Sequence, residues 1–219
     1  MCYTILNDAN RVLVNEDSKF DGYYTKEQLF NIAYFIFIYG FDDINLSYKY
    51  YIGKPFQYNL IEEQYHKILD KAIPLFKDIQ KLREGEIYNL KYGFVVDKID
   101  VPKIKYRLFS GHNSRLPHYF RHLYQIIKFV LQQDDKIITD KYAYLKIVRA
   151  QLSNYEQVLV YYNAQSIFGK PWLDEKFLTE WRMIKNMPLY IANFGPLPKD
   201  VLGEKNSKGQ KLFEIDEIS

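Results

Sequence analysis

The sequence predicts a mainly α-helical fold, arranged as a single-domain helical bundle. Apolar residues recur at helical spacing over much of the chain, and glycine or proline follows several of these segments as a stop signal. Two capping boxes, Thr25 with Gln28 and Ser153 with Glu156, mark helix starts. With 219 residues, of which 47% are apolar and 26% charged, the chain can bury a sizeable core.

The first third of the chain is predicted to hold three helices. Apolar positions at helical spacing indicate a short helix over residues 2–14. The Thr25 capping box starts a second helix that runs to about Gly40. A third helix covers residues 60–85, and Pro74 should kink or break it.

Residues 86–109 mix β-branched and aromatic residues with glycine and proline, so short strands and an ordered loop are both open there. Helical patterning then returns. One helix is predicted over residues 115–133, and a second starts after Thr139 or Asp140 and runs to about Leu152.

The Ser153 capping box either starts a third helix in this region or marks a bend within one long helix. The segment is predicted to end at Gly169, before Pro171. A further helix is predicted over residues 173–187, halted by Pro188.

The domain is predicted to span residues 1–197, followed by a polar tail, residues 198–219, that is expected to be mobile. The formal net charge of +3 would not repel nucleic acid, but it is smaller than that of a strongly basic binding module. Aromatic residues make up 17% of the chain. This excess is weak evidence for base stacking, because an AT-rich genome also enriches tyrosine.

Composition narrows the functional classes. The single cysteine, Cys2, excludes an internal disulfide and a cysteine-cluster zinc site, and it fits a reducing compartment. The longest apolar run, residues 29–39, is eleven residues long, whereas a membrane-spanning helix needs roughly 20. Residues 1–14 do not resemble a signal peptide, so a cytoplasmic location is expected. No phosphate loop, dinucleotide motif or nucleophile elbow occurs, and we expect no cofactor and no metal.

The stretch from 110 to 129 gathers the side chains best suited to chemistry. Three of the four histidines fall within eleven positions there, and no acidic residue occurs between positions 101 and 133. On a helix, the interior stripe is predicted to contain Leu116, Phe120, Leu123, Ile127 and Val130. The opposite side carries Arg115, His118, His122 and Gln125, flanked by Arg121 and Lys128.

A metal site is one interpretation of this pattern. His118 and His122 stand at i, i+4, and His112 could be a third ligand. However, Tyr119 occupies the position at which a zincin carries its glutamate, and the nearby arginines would oppose a cation.

Three other interpretations remain open. In a ribonuclease, His122 would act as general acid or base and Arg115 would stabilise the transition-state charge. Six residues separate the two, a spacing also found in HEPN-type helical ribonucleases, although Leu116 replaces their usual polar residue. Alternatively, His118, Arg121 and Lys128 would bind nucleic acid or another anion without chemistry. The pattern is also that of an ordinary solvated helix face.

Two stretches resemble the phage abortive infection family, the AbiC-type proteins. Members carry a "GHYFRHLY" helix, matched here by "HYFRHLY" at 118–124, and an "RAQLSNYE" segment, found here at 149–156. An aromatic-Tyr-Asn ending follows at 161–163, and the resemblance is close over residues 110–187. Pro117 departs from the family pattern, which often has glycine there.

The resemblance implies antiviral defence by arrest of the infected cell and supplies no established reaction. Its members commonly carry an N-terminal membrane segment, and the printed chain shows none, so we expect a soluble variant or a piece of a longer protein. The expected partners are nucleic acid, a phage or host protein, or a second copy of the chain. The alternative function is a non-enzymatic helical interaction module in a larger defence complex.

The second motif also has a structural interpretation. Its polar residues would lock two helices together, because buried polar groups must be paired. The residues concerned are Arg149, Gln151, Ser153, Asn154, Glu156 and Asn163. Arg149 lies at the edge of a core stripe, and Glu156 is its predicted acceptor.

Overall fold

The computed structural model describes residues 26–40, 74–75, 77–78, 81, 111–166, 168–193 and 195–214. This part of the chain is mainly α-helical, as predicted, and its only β-pairing is an isolated antiparallel bridge between Lys205 and Lys211. The helices are α1 (Lys26–Tyr39), α2 (Leu116–Gln132), α3 (Lys141–Ala150), α4 (Asn154–Gln165), α5 (Lys170–Asp174) and α6 (Pro198–Leu202), with a 3-10 turn at Leu189–Ile191.

The chain divides into two compact units, one containing Tyr3–Asn113 and the other Ser114–Ser219. Several predictions lie outside the described residues: the helix over 2–14, the Thr25 capping box, most of the helix over 60–85, and the segment 86–109. Within 60–85, the structure describes Pro74, Leu75, Lys77, Asp78 and Lys81, and these five residues are helical.

The first unit contains α1, whose side chains from Leu29 onward are buried on every side except at the half-buried Asn31. A helix that is apolar all round belongs in a core. Gly40 ends α1 as predicted, with φ of 77° and its N–H 2.7 Å from the carbonyl oxygen of Ile36. A glycine adopts this left-handed conformation without steric cost.

The second unit begins with α2, which is amphipathic as predicted. Its buried side chains are Phe120, Leu123, Ile127 and Val130, and Leu116 at its start is half-buried. Helix α3 packs against α2. The Asp140 carboxylate caps α3 by accepting a 2.9 Å hydrogen bond from the Ala143 N–H, which satisfies one of the unpaired donors of the first turn.

A complete capping box at Ser153 starts α4 as a separate helix, which settles the choice between a new helix and a bend. Ser153 is extended, with φ of −64° and ψ of 162°. Its N–H donates to the Glu156 carboxylate over 2.8 Å, and its side-chain oxygen accepts from the Glu156 N–H over 3.3 Å. Each side chain thereby satisfies a backbone donor at the helix start.

The predicted end of this segment at Gly169 is wrong. Helix α4 ends at Gln165, and Gly169 caps the start of α5 instead. A Cβ atom on Gly169 would lie 2.1 Å from the Asn163 carbonyl oxygen. The glycine is therefore required by the close approach of two backbone segments.

The helix predicted over residues 173–187 is also wrong. After α5 the chain runs through successive turns, and Lys176 and Arg182 have φ values of 55° and 49°, which a right-handed helix does not admit. The buried side chains here, Phe177, Leu178, Met183, Ile184 and Met187, are presented by these turns and not by a continuous helix.

The mobile tail predicted from residue 198 stays a prediction. In this stretch the structure contains α6, and the side chains of Leu212 and Phe213 are buried. The Ser207 hydroxyl donates to Glu180 over 2.5 Å.

Candidate functional site

The outer face of α2 consists of Arg115, His118, Arg121, His122 and Gln125. All five side chains are exposed, opposite the buried stripe of the same helix. Residues three and four apart on a helix are neighbours, so His118 lies beside both Arg115 and His122. The prediction that these histidines are not core residues is confirmed.

The outer face carries the positive charges of Arg115 and Arg121, and no residue that the structure describes pairs with them. Among the described residues, none makes a hydrogen bond or ion pair with the side chains of Arg115, Arg121, His118 or His122. The first turn of α2 contains no acidic residue, and no side chain caps it. The helix start adds the positive end of the helix dipole, which attracts anions.

His112 belongs to the first unit, where it makes structural contacts with α1. Its Nδ1 atom donates to the Phe37 carbonyl oxygen over 2.9 Å, and its ring stacks on that of Phe37 with centroids 4.7 Å apart. Its N–H donates to the Ile38 carbonyl oxygen over 2.6 Å. These contacts make His112 a structural residue of the first unit. Among the described residues, no group of three His, Cys, Asp or Glu side chains is placed to hold a metal ion.

Lys128 forms an ion pair with a carboxylate outside α2. Its Nζ atom lies 2.8 Å from Glu175, which follows α5, and 5.6 Å from the centre of the Tyr124 ring. The Tyr124 hydroxyl donates to the same carboxylate over 2.9 Å. The two hydrogen bonds hold the pKa of Glu175 below its usual value. The anion-binding role of Lys128 stays a prediction, and the structure gives this lysine a carboxylate partner.

One hydrogen bond joins the two motifs. The Tyr119 hydroxyl donates to the Glu156 carboxylate over 3.2 Å, connecting α2 to the start of α4. Burial and the neighbouring Glu156 charge raise the pKa of Tyr119. Burial raises the pKa of Glu156, but hydrogen bonds from Ser153 and Tyr119 outweigh it and hold that pKa below its usual value. Together with the α2–α3 packing, this bond confirms that the two motif segments pack together.

The predicted pairing of Arg149 with Glu156 is wrong. Arg149 is 7% exposed, and its Nη1 atom donates to the Arg182 carbonyl oxygen over 2.9 Å and to the Tyr142 hydroxyl over 3.4 Å. Glu156 is instead occupied by Ser153 and Tyr119. The irregular turn at Arg182 presents a carbonyl oxygen to the buried guanidinium, and a sequence pattern does not reveal such an acceptor.

The other motif residues divide between surface and core. Gln151, the C-cap of α3, and Asn154, the first residue of α4, are exposed. Asn163 is 5% exposed and lies against Gly169. Because Gln151 and Asn154 are exposed, the structure does not place them as buried polar groups between two helices, and their role stays a prediction.

Phe129 is a residue of this surface that the sequence reasoning missed. Its side chain is 64% exposed. It follows His122 by seven residues and Gln125 by four, so it extends the outer face of α2 by one turn. Phe129 adds an exposed apolar side chain to a helix face that is otherwise polar. The 3.6-residue period alone would have placed it there.

Comparisons with known proteins identify one family. The family model described as "Putative phage abortive infection protein" matches residues 111–190, which include the outer face of α2 and the segment from Arg149 to Asn163. No curated protein and no solved structure matches the chain. In the described residues, no helix has the length and apolar character needed to span a membrane. The resemblance inferred from the two motifs is confirmed: residues 111–190 match the phage abortive infection family.

Proposed function

We propose that this protein acts in anti-phage defence by abortive infection, and that the outer face of α2 binds RNA phosphates. The family match over residues 111–190 supports the defence role. The observation that carries the site is the exposed row of Arg115, His118, Arg121 and His122, which has no partner among the described residues. Guanidinium groups bind phosphate oxygens through charge-assisted hydrogen bonds, and imidazole N–H groups can donate to the same oxygens.

In a stronger form of the proposal, the outer face of α2 also cleaves RNA. His122 is the candidate general acid or base, and Arg115 is the candidate group for the negative charge of the transition state. The two side chains lie on the same exposed stripe, two turns apart. In the weaker form of the proposal, the same face binds RNA and does not cleave it. His118 and Arg121 then contribute only to binding.

A phage challenge tests the defence role. Cells that express the intact gene should give fewer plaques than cells with an empty vector, across a panel of phages. Arg115→Ala combined with His122→Ala should restore plaque counts. Lys136→Ala, which removes an exposed cation from the α2–α3 loop, should leave protection intact. Unchanged plaque counts for the wild type over a broad panel would contradict the defence role.

A second candidate is a helical protein-interaction module, favoured by exposed apolar side chains in the second unit. The four most exposed of these are Phe129 (64% exposed), Ile137 (72%), Ile147 (63%) and Tyr155 (54%). Apolar groups of this size at the surface are typical of protein contact sites. This function would be favoured over the first if one stoichiometric partner co-purified with the wild type and was lost from Ile147→Ser. The wild type should then bind no RNA.

A further inference from the structure

The exposed ring of Phe129 lies on the same stripe of α2 as the cations of the outer face. At 100° per residue, Phe129 lies within about 20° of both His118 and His122 around the helix axis. It follows Arg115 by fourteen residues, which is about 21 Å along the axis of a helix. One face of α2 therefore carries cations at its start and an aromatic ring near its end.

The Phe129 ring is open to a ligand. Its side chain is 64% exposed, and no aromatic ring in the described part of the chain packs against it. The helix beneath the ring is anchored, because the neighbouring side chains of Ile127 and Val130 are buried and the Phe129 carbonyl oxygen accepts a 2.9 Å hydrogen bond from the Gln133 amide. A single exposed apolar side chain is common at protein surfaces. The position of this one, in line with the cations, is what gives it a role.

The charge along this face indicates the chemistry of the ligand. No acidic residue occurs between positions 101 and 133. Lys128, beside the ring, is paired with Glu175 at 2.8 Å, and Gln125, one turn before the ring, is exposed and uncharged. A matching ligand carries negative charge for the guanidinium groups and a flat apolar group about 10 Å further along the helix axis, at Phe129. Nucleic acid strands have both, because each nucleotide joins a phosphate to an aromatic base.

The ring also distinguishes single strands from duplexes. In a duplex, each base is stacked between its neighbours, so a phenylalanine side chain on a helix surface cannot reach the face of a base. In a single strand, an unstacked base can turn out of the strand and stack on an aromatic side chain while the phosphates remain on cationic groups. The combination of exposed cations and an exposed ring on one helix face therefore suits a single strand.

We propose that Phe129 stacks on an unpaired base of the RNA whose phosphates the outer face binds, and that this contact makes the site selective for single strands over duplexes. The inference rests on the proposed RNA binding by the outer face and adds the residue that determines the class of RNA. Stacking on a phenylalanine tolerates every base, because every base has a π-face. Phe129 therefore confers a preference for unpaired RNA and no preference for a particular base.

Fluorescence anisotropy of the full chain tests this role, with a labelled RNA strand of about twelve nucleotides and the same strand in a duplex. The wild type should bind the single strand more tightly. Phe129→Leu keeps an apolar side chain but removes the ring, so it should weaken single-strand binding at least about fivefold. Duplex affinity and the salt dependence should not change, because no charge is lost. Phe129→Trp should retain wild-type affinity. Tyr144→Leu, the matched control, removes an exposed aromatic ring from α3 and should behave as the wild type.

The same titrations separate failure of this inference from failure of the proposed RNA binding. Arg121→Ala removes a charge, so it should weaken binding of both RNAs and reduce the salt dependence. Equal single-strand affinity of the wild type and Phe129→Leu, or an equal loss for both RNAs, would overturn the role of Phe129 and leave phosphate binding by the outer face standing. A wild type that binds neither RNA would overturn both. Loss of a co-purifying protein from Phe129→Leu, with RNA binding unchanged, would assign the ring to a protein contact instead. Circular dichroism checks that each variant keeps its helical content.

Discussion

At the scale of single residues, Arg149 shows how a buried cation is held without a carboxylate in direct contact. Its Nη1 atom reaches the Arg182 carbonyl oxygen at 2.9 Å and the Tyr142 hydroxyl at 3.4 Å. It thereby ties α3 to an irregular turn. Removing the guanidinium would leave the Arg182 carbonyl oxygen with only its 3.1 Å hydrogen bond from the Lys185 N–H, and it would take a donor away from the Tyr142 hydroxyl.

We predict that Arg149→Lys destabilises the protein by about 1–3 kcal/mol. In Arg149 the Nη1 atom meets both oxygens while the guanidinium carbon lies 6.0 Å from the centre of the Tyr142 ring, and a lysine has no planar group that can hold both sets of contacts. Urea unfolding followed by circular dichroism measures the loss. The control, Arg115→Lys, alters an exposed arginine and should stay within about 0.5 kcal/mol of the wild type. Equal stability of the two variants would contradict the structural role of Arg149.

Glu156 makes the stability depend on pH. Its pKa is held below the ordinary value in the folded state, so its contribution is complete above the unfolded pKa of about 4.3. The contribution is lost as the pH falls through the lower folded pKa. We predict that Glu156→Gln costs on the order of 1 kcal/mol at neutral pH. The difference from wild type should shrink below about pH 4. A difference that stays constant down to pH 2 in urea unfolding would contradict this.

At the scale of helices, sequence patterns predicted the elements whose signals are local. The Ser153 capping box, the interior stripe of α2 and the glycine after α1 each depend on residues within two turns of one another, and each is confirmed. The helix predicted over 173–187 failed because its turns are set by distant contacts. One is the Arg149 bond to the Arg182 carbonyl oxygen. Arg182 itself adopts a left-handed conformation, which the residues next to it in the sequence do not predict.

The junction of α4 and α5 depends on Gly169. Its φ of −109° suits any residue, so the need for glycine is purely steric: a Cβ atom would meet the Asn163 carbonyl oxygen at 2.1 Å. We predict that Gly169→Ala destabilises by about 1–3 kcal/mol, because the two backbones must separate. Thermal unfolding checks this.

Gly203→Ala provides the comparison for that prediction. Gly203 has a φ of 76° and a ψ of −172°, a backbone region that essentially only glycine occupies, and open space where a Cβ atom would lie, so alanine there should cost about 1–3 kcal/mol of backbone strain without a steric clash. A smaller loss for Gly169→Ala than for Gly203→Ala would show that the two backbones separate easily.

At the scale of the whole molecule, the second unit contains most of the region that matches the phage abortive infection family. The two motifs differ in whether their polar side chains are buried or exposed. The segment from Arg149 to Asn163 supplies a capping box and buried contacts, whereas α2 exposes its arginines and histidines. Sequence periodicity was sufficient to place the candidate site on the surface. It could not identify the partners of Lys128 and Arg149, because these come from turns distant in the sequence.

The central claim is that the outer face of α2 binds RNA phosphates, and purified protein with labelled RNA tests it most directly. The wild type should bind in a salt-dependent manner, and Arg121→Ala should reduce the slope of log affinity against log salt by about 0.7. Lys136→Ala is the matched control. If the face also cleaves RNA, Arg115→Ala and His122→Ala should each lower the rate on the order of 100-fold or more with the fold intact. Wild-type protein that neither cleaves RNA nor binds it in a salt-sensitive manner would contradict the claim and leave the face an ordinary solvated helix surface.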